Sequence, residues 1–137
     1  MAYMRLGRLD ESIVMHLQQL SIAKEFGGHT EQGRAFGNLG TTYLRKGSDD
    51  DNAKAFDAFT NCLVHAKAAG DELSQASTYG HLGIISYKQG NLQKAKQLSN
   101  LHLSMAQKLG DLDGQTRAEH FLRLLRRDES DARKASA

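Results

Sequence analysis

Two stretches of the chain share one pattern: Gly37-Asn-Leu-Gly-Thr-Thr-Tyr-Leu-Arg-Lys-Gly47 and Gly80-His-Leu-Gly-Ile-Ile-Ser-Tyr-Lys-Gln-Gly90. Both have glycine at the first, fourth and last positions and leucine at the third, and they begin 43 residues apart. Similar segments at a spacing of roughly 20–50 residues are typical of repeat architectures, in which each unit buries its apolar face against its neighbours. The sequence therefore predicts a fold of stacked repeats.

A second set of matching segments indicates the length of the unit. Residues 22–27, 65–70 and 105–110 each have alanine in second place and end in glycine, and their offsets are 43 and then 40 residues. We infer a basic unit of 40 residues, with three extra residues in the acidic stretch 48–52. This stretch lacks the glycine and the final glutamate of a calcium-binding loop. We interpret it as a lengthened loop that places negative charge at a helix start.

Each unit is predicted to form two helices, because apolar residues recur every three or four positions between the glycines. The absence of proline also favours helix. We expect an all-α fold in which residues 1–127 form the repeat array with an incomplete first unit. Residues 2–6 would be the last turn of an earlier helix, and residues 128–137 a disordered polar tail. The predicted helices cover residues 9–26, 30–46, 51–69, 73–89, 92–109 and 113–127. The glycines expected to end helices in the left-handed conformation are Gly27, Gly70 and Gly110.

Two further glycines, Gly40 and Gly83, lie in the middle of predicted helices, where each costs about 0.5–1 kcal/mol relative to alanine. They occupy the same position in successive units, so we expect one reason for both. The simplest reason is that the partner helix of the same pair passes too close for a β-carbon. Small residues occupy equivalent places early in the second helix of each unit: Ala55 and Ala95, with Ser12 in the first.

Residues 39–43, Leu-Gly-Thr-Thr-Tyr, followed by a turn glycine and then Ala55, resemble the tetratricopeptide repeat. The second copy, residues 82–95, has Ser86 in place of the aromatic residue. The 40-residue unit is similar to the long repeats of G-protein-signalling modulators, rapsyn and kinesin light chain. The resemblance covers about residues 1–127. It implies a right-handed superhelical solenoid of antiparallel helix hairpins, with about three units and a C-terminal capping helix in which Arg123 stands where the earlier units have glycine.

The resemblance also implies a binding groove. In tetratricopeptide proteins that hold peptides, the first helices of the units line a concave surface, and the contact positions are counted from the central small residue. Carried over to this chain, the groove residues are Arg34, Asn38, Thr41, Arg45, Ser77, His81, Ile84, Lys88 and Arg117. Arginine can form forked hydrogen bonds with carboxylates, and the amide of Asn38 can both donate and accept. We therefore predict a partner peptide that is acidic or ends in a free carboxylate.

Structural explanations stay open for part of this set. The cations Arg34, Arg45 and Lys88 could form a solvated helix face. The Asn38 amide could bond to the helix surface or to a neighbouring unit. His81 is expected to be a polar packing residue more than a ligand contact.

Little in the sequence favours catalysis. The six histidines are spread one to a helix or loop, and no two lie four positions apart. Cys62 and His65 lie three apart, but a structural zinc site needs four ligands, and no residue nearby would orient the imidazole to activate the thiol. We predict that the protein is not an enzyme and has no metal or cofactor.

Composition limits the remaining classes. The 137 residues carry a formal charge of only +2, which gives no reason to expect nucleic acid as a partner. No apolar run approaches the length of a membrane span, so we predict no membrane insertion. The single cysteine fits a reducing compartment, and we expect the protein in the cytoplasm, with possible attachment to the cytoskeleton or cortex.

The function predicted from the sequence is that of a non-catalytic scaffold or adaptor, as used in signalling, which binds a partner peptide in its concave groove. The alternative is a structural subunit of a larger cytoskeletal or ciliary assembly, held through convex faces and open solenoid ends. A regulatory domain of a larger chain is a third hypothesis. Because the first unit is incomplete, we expect the chain to be a fragment of a longer protein or to self-associate at that end.

Overall fold

The computed structural model describes the backbone of residues 2–136 and the side chains of residues 6–136. Every regular element in this part of the chain is an α-helix, which confirms the predicted all-α class. The helices are α1 (Ala2–Phe26), α2 (His29–Lys46), α3 (Asp49–Ala69), α4 (Glu72–Lys88), α5 (Leu92–Leu109) and α6 (Leu112–Ser136). The bounds of α2 to α5 lie within two residues of the predicted ones.

Each helix packs against the next one along the chain as an antiparallel neighbour, and α4 also contacts α6. The packing is most extensive between α2 and α3 and between α4 and α5, so the chain is organised in helix pairs. This arrangement is consistent with a helical hairpin repeat.

Apolar side chains fill the spaces between consecutive helices. Leu20 of α1 packs with Leu39 of α2. Phe59 of α3 packs with Ile85 of α4, which is completely buried. Leu122 of α6 joins the cluster that covers α5. The core is therefore a row of small clusters, one for each helix contact.

Helix ends follow from local side chains. The Ser48 hydroxyl accepts a hydrogen bond from the Asp51 amide at 3.0 Å, and Asp71 and Asn91 cap α4 and α5 in the same way at 3.0 and 3.1 Å. Gly70 and Gly110 follow α3 and α5 with φ of 69°, in the left-handed conformation that the sequence predicted.

The prediction for Gly27 was wrong. Positive φ occurs in the described chain only at Gly47, Gly70, Gly90 and Gly110. The Gly27 amide donates to the Ala23 carbonyl at 2.9 Å and so closes the last turn of α1. Gly28 makes the extended step into α2, with φ −103° and ψ −164°, so that the Gly-Gly pair turns the chain without a left-handed residue.

The break predicted between residues 2–6 and the helix at 9–26 was also wrong, because α1 is one helix of 25 residues that runs through Gly7. A β-carbon at Gly7 would meet nothing within 4 Å. The helix penalty of one glycine, about 1 kcal/mol, does not end a helix whose residues on both sides continue the helical conformation.

The three extra residues of the acidic stretch lengthen a helix and not a loop. α3 has 21 residues against 18 in α5, and Asp49 to Asp51 form its first turn directly after Ser48. The expected longer loop is replaced by helix because carboxylates are favourable beside the free N–H groups at a helix start.

The structure also differs from the disordered tail expected for residues 128–137. α6 continues to Ser136, and Ala137 lies outside the described residues. Lys96 of α5 forms an ion pair with Glu129 at 3.1 Å, and the Tyr87 hydroxyl of α4 donates to Asp128. These two contacts hold the additional turns against the preceding helices.

Glycine permits the closest helix contacts. A β-carbon on Gly40 would lie 2.7 Å from two ring carbons of Phe59, and one on Gly83 would lie 2.8 Å from the Ser99 hydroxyl oxygen. The equivalent small residues on the partner helices, Ala55 and Ala95, are completely buried. Within each pair, the two helices therefore approach at a distance that excludes a side chain on the first.

Within residues 2–136, none of the helices combines the length and the hydropathy that a membrane span requires.

Candidate functional site

Two adjoining cavities lie between the first helices of the pairs. The α2–α4 cavity has a volume of about 260 Å³ and opens between α2 and α4. Its floor is apolar and comes from α3, where Phe59, Cys62 and Ala66 are all buried. The α4–α6 cavity has a volume of about 70 Å³ and lies between α4 and α6 over α5.

On the α2 side of the larger cavity, Arg34, Asn38 and Thr41 follow one another at helical spacing. The Thr41 hydroxyl donates to the Gly37 carbonyl at 3.0 Å, so its proton is already used. Arg34 and Asn38 are exposed, and within the described chain neither side chain forms a hydrogen bond or an ion pair. Their donors and acceptors are available to a ligand.

On the α4 side, the His81 ring is held in one orientation. Its Nδ1 lies 2.9 Å from the Ser77 carbonyl, which can only accept, so Nδ1 carries the proton and Nε2 is the acceptor of the neutral ring. The ring stacks on Phe59 with 4.6 Å between centroids and an interplanar angle of 10°. Burial lowers the pKa of His81, and the charge of Arg117 lowers it further, against the opposing effect of the Ser77 bond.

Ser77 and His81 line both cavities, so the two adjoin at this turn of α4. His81 is therefore the central side chain of the candidate site, because it lines the larger cavity on one side and the smaller cavity on the other.

A serine that borders the smaller cavity has an unusual hydroxyl group. Ser99 of α5 is 1% exposed, and its Oγ has no hydrogen-bond partner within the described residues. The neighbouring His102 is also buried, and its Nδ1 would lie 2.5 Å from a β-carbon on Gly80. Burial lowers the pKa of His102, as do Arg117 and His81, while Asp111 raises it.

The structure brings together most of the residues that the sequence predicted for a groove. Those that line the larger cavity are Arg34, Asn38, Thr41, Ser77 and His81. Those that line the smaller one are Ser77, His81, Ile84 and Arg117. Arg45 and Lys88, near the last turns of α2 and α4, are exposed and line neither cavity.

Sequence reasoning missed the residues that the second helices contribute. Phe59 and Cys62 come from α3, and Ser99 and His102 come from α5. A signal for them was present in the additional glycines of α2 and α4. A β-carbon at Gly37 would touch the Cys62 sulfur at 3.5 Å. Because Gly37 of α2 has no side chain, Cys62 of α3 is exposed to the cavity at this point.

Sequence spacing also failed to show a histidine pair. The Nδ1 atoms of His29 and His65 are 2.8 Å apart, so one ring donates to the other and at least one of the two is neutral. Phe36 stacks on His65 with 5.6 Å between centroids. Burial lowers the pKa of His65, followed by the effects of His29 and Lys24. Among the described residues no group of three or more ligating side chains could hold a metal ion.

The surroundings of the single thiol, Cys62, disfavour nucleophilic chemistry. Cys62 is buried, and burial raises its pKa, which favours the protonated thiol over the reactive thiolate. Its sulfur lies 3.6 Å from the Thr78 hydroxyl, and that hydroxyl donates to the Ser74 carbonyl at 2.7 Å. The thiol contributes apolar surface to the cavity floor.

Comparison with known proteins finds no family model that matches the chain and no curated protein similar to it.

Proposed function

We propose that this protein is a non-catalytic adaptor of the tetratricopeptide type, whose helix pairs form a solenoid that binds a segment of a partner protein across α2, α4 and α6. The observation that carries the proposal is the pair of adjoining cavities with an apolar floor and polar walls. Binding sites for peptides and small molecules combine apolar lining with a few polar groups that fix orientation.

The walls favour an acidic ligand. Arg34 on α2 and Arg117 on α6 place one guanidinium group in each cavity, and Asn38, one turn after Arg34, can satisfy a peptide group of any sequence. The larger cavity has room for one apolar side chain of the ligand above Phe59. The proposed partner is thus a peptide with a carboxylate and one apolar anchor.

A peptide-display selection followed by titration of the selected peptide tests the proposal. We expect Asn38→Ala and Arg34→Glu each to weaken binding at least tenfold, because a lost hydrogen bond to a charged or buried group costs about 1.5–3 kcal/mol. Arg45→Glu is the matched control, since it changes the same charge on the same helix outside both cavities. Equal losses in all three variants, or none, would contradict the assignment.

Cys62 offers a second readout because it is the only cysteine of the chain and forms part of the floor. A peptide in the larger cavity should slow alkylation of this thiol in proportion to occupancy. A peptide that binds without protecting the thiol lies elsewhere on the protein.

A second candidate function, that of a structural subunit in a larger assembly, is favoured by the surface of α1. Apolar side chains of this helix are exposed, with Ile22 at 61% and Phe26 at 80% exposure, and both line a cavity of about 430 Å³ beside α2. Light scattering of the wild-type protein and of Phe26→Ser distinguishes the two functions. A subunit of this kind would self-associate through α1 and lose the association in the variant, whereas an adaptor would stay monomeric in both.

We place the protein in a reducing compartment, the cytoplasm, because its one thiol is buried without a disulfide partner in the described chain.

A further inference from the structure

Three serines of this chain have an arginine three positions before them: Ser48, Ser130 and Ser136. Two of these segments share one motif, since residues 45–48 are Arg-Lys-Gly-Ser and residues 133–136 are Arg-Lys-Ala-Ser. Kinases select substrates by charge pattern, and a kinase with acidic groups beside its active site selects serines that follow such a pair of cations. The motif alone does not distinguish the two segments, but their structural surroundings do.

The motif at residues 45–48 is part of the packed structure. The Ser48 hydroxyl donates to the Asp51 carboxylate at 2.7 Å and accepts from the Asp51 amide at 3.0 Å, so it caps α3. Lys46, two positions before Ser48, forms an ion pair with Asp10 of α1 at 2.7 Å. A kinase could bind this segment only after the end of α2 had separated from α1 and the cap of α3 had opened.

The residues directly before Ser130 are also fixed, and their charge is unfavourable for the same kinase. Asp128 accepts a hydrogen bond from the Tyr87 hydroxyl of α4, and Glu129 pairs with Lys96 of α5 at 3.1 Å. These contacts hold the backbone before Ser130 against two other helices. The two carboxylates would also repel the acidic groups of a kinase that selects basic substrates.

The motif at residues 133–136 lies beyond the last of these contacts. Every residue from Ser130 to Ser136 is exposed, and within the described chain none of them forms a hydrogen bond or an ion pair with another helix. The Ser136 hydroxyl donates to the Ala132 carbonyl of its own helix at 2.9 Å. Isolated helices below roughly 12–15 residues are marginal in water, so this segment has little stability of its own. It can open at almost no cost in free energy, as helix ends do.

We propose that Ser136 is a phosphorylation site for a serine kinase that recognises Arg133 and Lys134, and that the phosphate unwinds residues 130–136 and leaves the rest of α6 in place. The γ-phosphoryl group of ATP is transferred to the Ser136 Oγ, its bond to the β–γ bridging oxygen breaks, and ADP leaves. The hydroxyl proton passes to the catalytic aspartate of the kinase. Ser136 lines neither cavity, so its phosphorylation does not depend on peptide binding there.

The charge of the phosphate opposes the helix at this end. A phosphoserine carries about −1.5 to −2 at pH 7, and the C-terminal end of a helix is the negative end of its dipole. Arg133 and Lys134 lie in the last turn of α6, where their positive charge is favourable, and the phosphate would neutralise it. Unwinding should stop at Glu129, because the ion pair of this residue with Lys96 belongs to the packed part of the helix.

Phosphorylation of the purified protein tests the proposal. The probe is the catalytic subunit of cyclic-AMP-dependent protein kinase with Mg-ATP, and mass spectrometry measures the rate at each serine. We expect Ser136 to be modified roughly a hundredfold faster than Ser48 or Ser130, because only its segment opens freely. For the same reason its rate should lie within about tenfold of that of a synthetic peptide of residues 128–137. Equal rates at the three serines, or a rate at Ser136 below that range, would overturn the proposal.

Variants assign the recognition to the motif. Arg133→Gln should lower kcat/KM for Ser136 about tenfold, because it removes a charge-assisted contact with the kinase. Arg123→Gln is the matched control, since it changes an exposed arginine of the same helix outside the motif and should leave the rate as in the wild type. Ser136→Ala should abolish the modification, whereas Ser130→Ala should retain it. Equal rates in Arg133→Gln and Arg123→Gln would contradict the assignment.

NMR of the phosphorylated protein measures the extent of unwinding. We expect the Cα chemical shifts of residues 130–136 to move to random-coil values and those of residues 112–127 to stay helical. Lys96→Ala removes the partner of Glu129 and should let the unwinding extend past this residue, whereas Lys88→Ala, at an exposed position of α4, should not. A phosphorylated α6 that stays helical to its end, or one that unwinds throughout, would overturn this part of the proposal.

Discussion

At the scale of single residues, glycine controls both the helix contacts and the floor of the candidate site. Gly40 lies against the ring of Phe59, and that ring is stacked on His81. A substitution that adds a side chain at Gly40 would therefore displace the Phe59 ring, and with it the His81 imidazole that lines both cavities. The helix contact and the proposed binding site are coupled through this stack.

We predict that Gly40→Ala destabilises the protein by about 1–3 kcal/mol, the usual effect of forcing an extra methyl group into a packed contact. The Phe59 ring is 3% exposed and cannot move aside freely. Urea unfolding measures the loss. The control is Gly7→Ala, where the added methyl group meets nothing within 4 Å and should stabilise α1 by up to about 1 kcal/mol. If both variants changed the free energy of unfolding in the same direction, this account of Gly40 would be contradicted.

Three histidines with a lowered pKa predict how stability depends on pH. Burial is the largest cause that lowers the pKa of His65, His81 and His102 in the folded protein, against an unfolded value of about 6.5. The unfolded state then binds more protons as the pH falls through and below 6.5, so stability is fully present above that value and is lost on acidification.

Urea unfolding at pH 7.5 and 5.5 should therefore show a lower free energy of unfolding at the acidic pH. His65→Gln should reduce the pH dependence, because it removes one member of the pair with His29. His120→Gln, a change at an exposed position, should leave the dependence as in the wild type. A free energy of unfolding that is equal at the two pH values would show that these rings titrate normally in the fold.

At the scale of helices, sequence periodicity predicted the number, order and bounds of α2 to α5, because each has a capping residue or a glycine at its ends. It failed where local chemistry allows two outcomes. The acidic residues 49–51 could have extended the loop or the helix, and the Ser48–Asp51 cap favours the helix. The turns of α6 beyond Arg127 depend on contacts with α4 and α5, which a periodicity within one helix does not contain.

We predict that Ser48→Ala destabilises the protein by about 1 kcal/mol, since the Ser48 hydroxyl is the acceptor for the Asp51 amide at the start of α3. The Asp51 carboxylate in turn accepts from the Ser48 hydroxyl at 2.7 Å, and this bond is the main reason that the pKa of Asp51 is lowered. Thermal unfolding of Ser48→Ala and of Ser104→Ala compares the cap with an exposed serine inside α5. A loss no larger in Ser48→Ala than in Ser104→Ala would show that the cap is not needed for the longer helix.

At the scale of the whole molecule, the candidate site forms only because several helices pack side by side, and each contributes part of the lining. Positions on α2, α4 and α6 could be assigned from the repeat, since equivalent residues of equivalent helices face the same side. The cavity floor could not, because Cys62 and Ser99 reach the site only through the gaps left by Gly37 and Gly83. Which second-helix residue fills such a gap depends on the relative rotation of the two helices, and the sequence of either one does not determine it.

Because each helix contacts mainly its sequence neighbours, the molecule should lose structure locally and not all at once. We predict that native-state hydrogen exchange in low urea shows the strongest amide protection in α3 and α4, with weaker protection in α1 and α6, which have a neighbour on one side only. Ile85→Ala, in the completely buried centre, should reduce protection in α3 to α5 by about 2–5 kcal/mol. Leu20→Ala should act mainly on α1 and α2, with a smaller effect on α3, since α3 contributes only Ala58 to the buried cluster that contains Leu20. If either substitution lowered protection equally in all six helices, the fold would be one cooperative core, and a ligand in the cavities would then stabilise α1 as strongly as the α4 helix that it contacts.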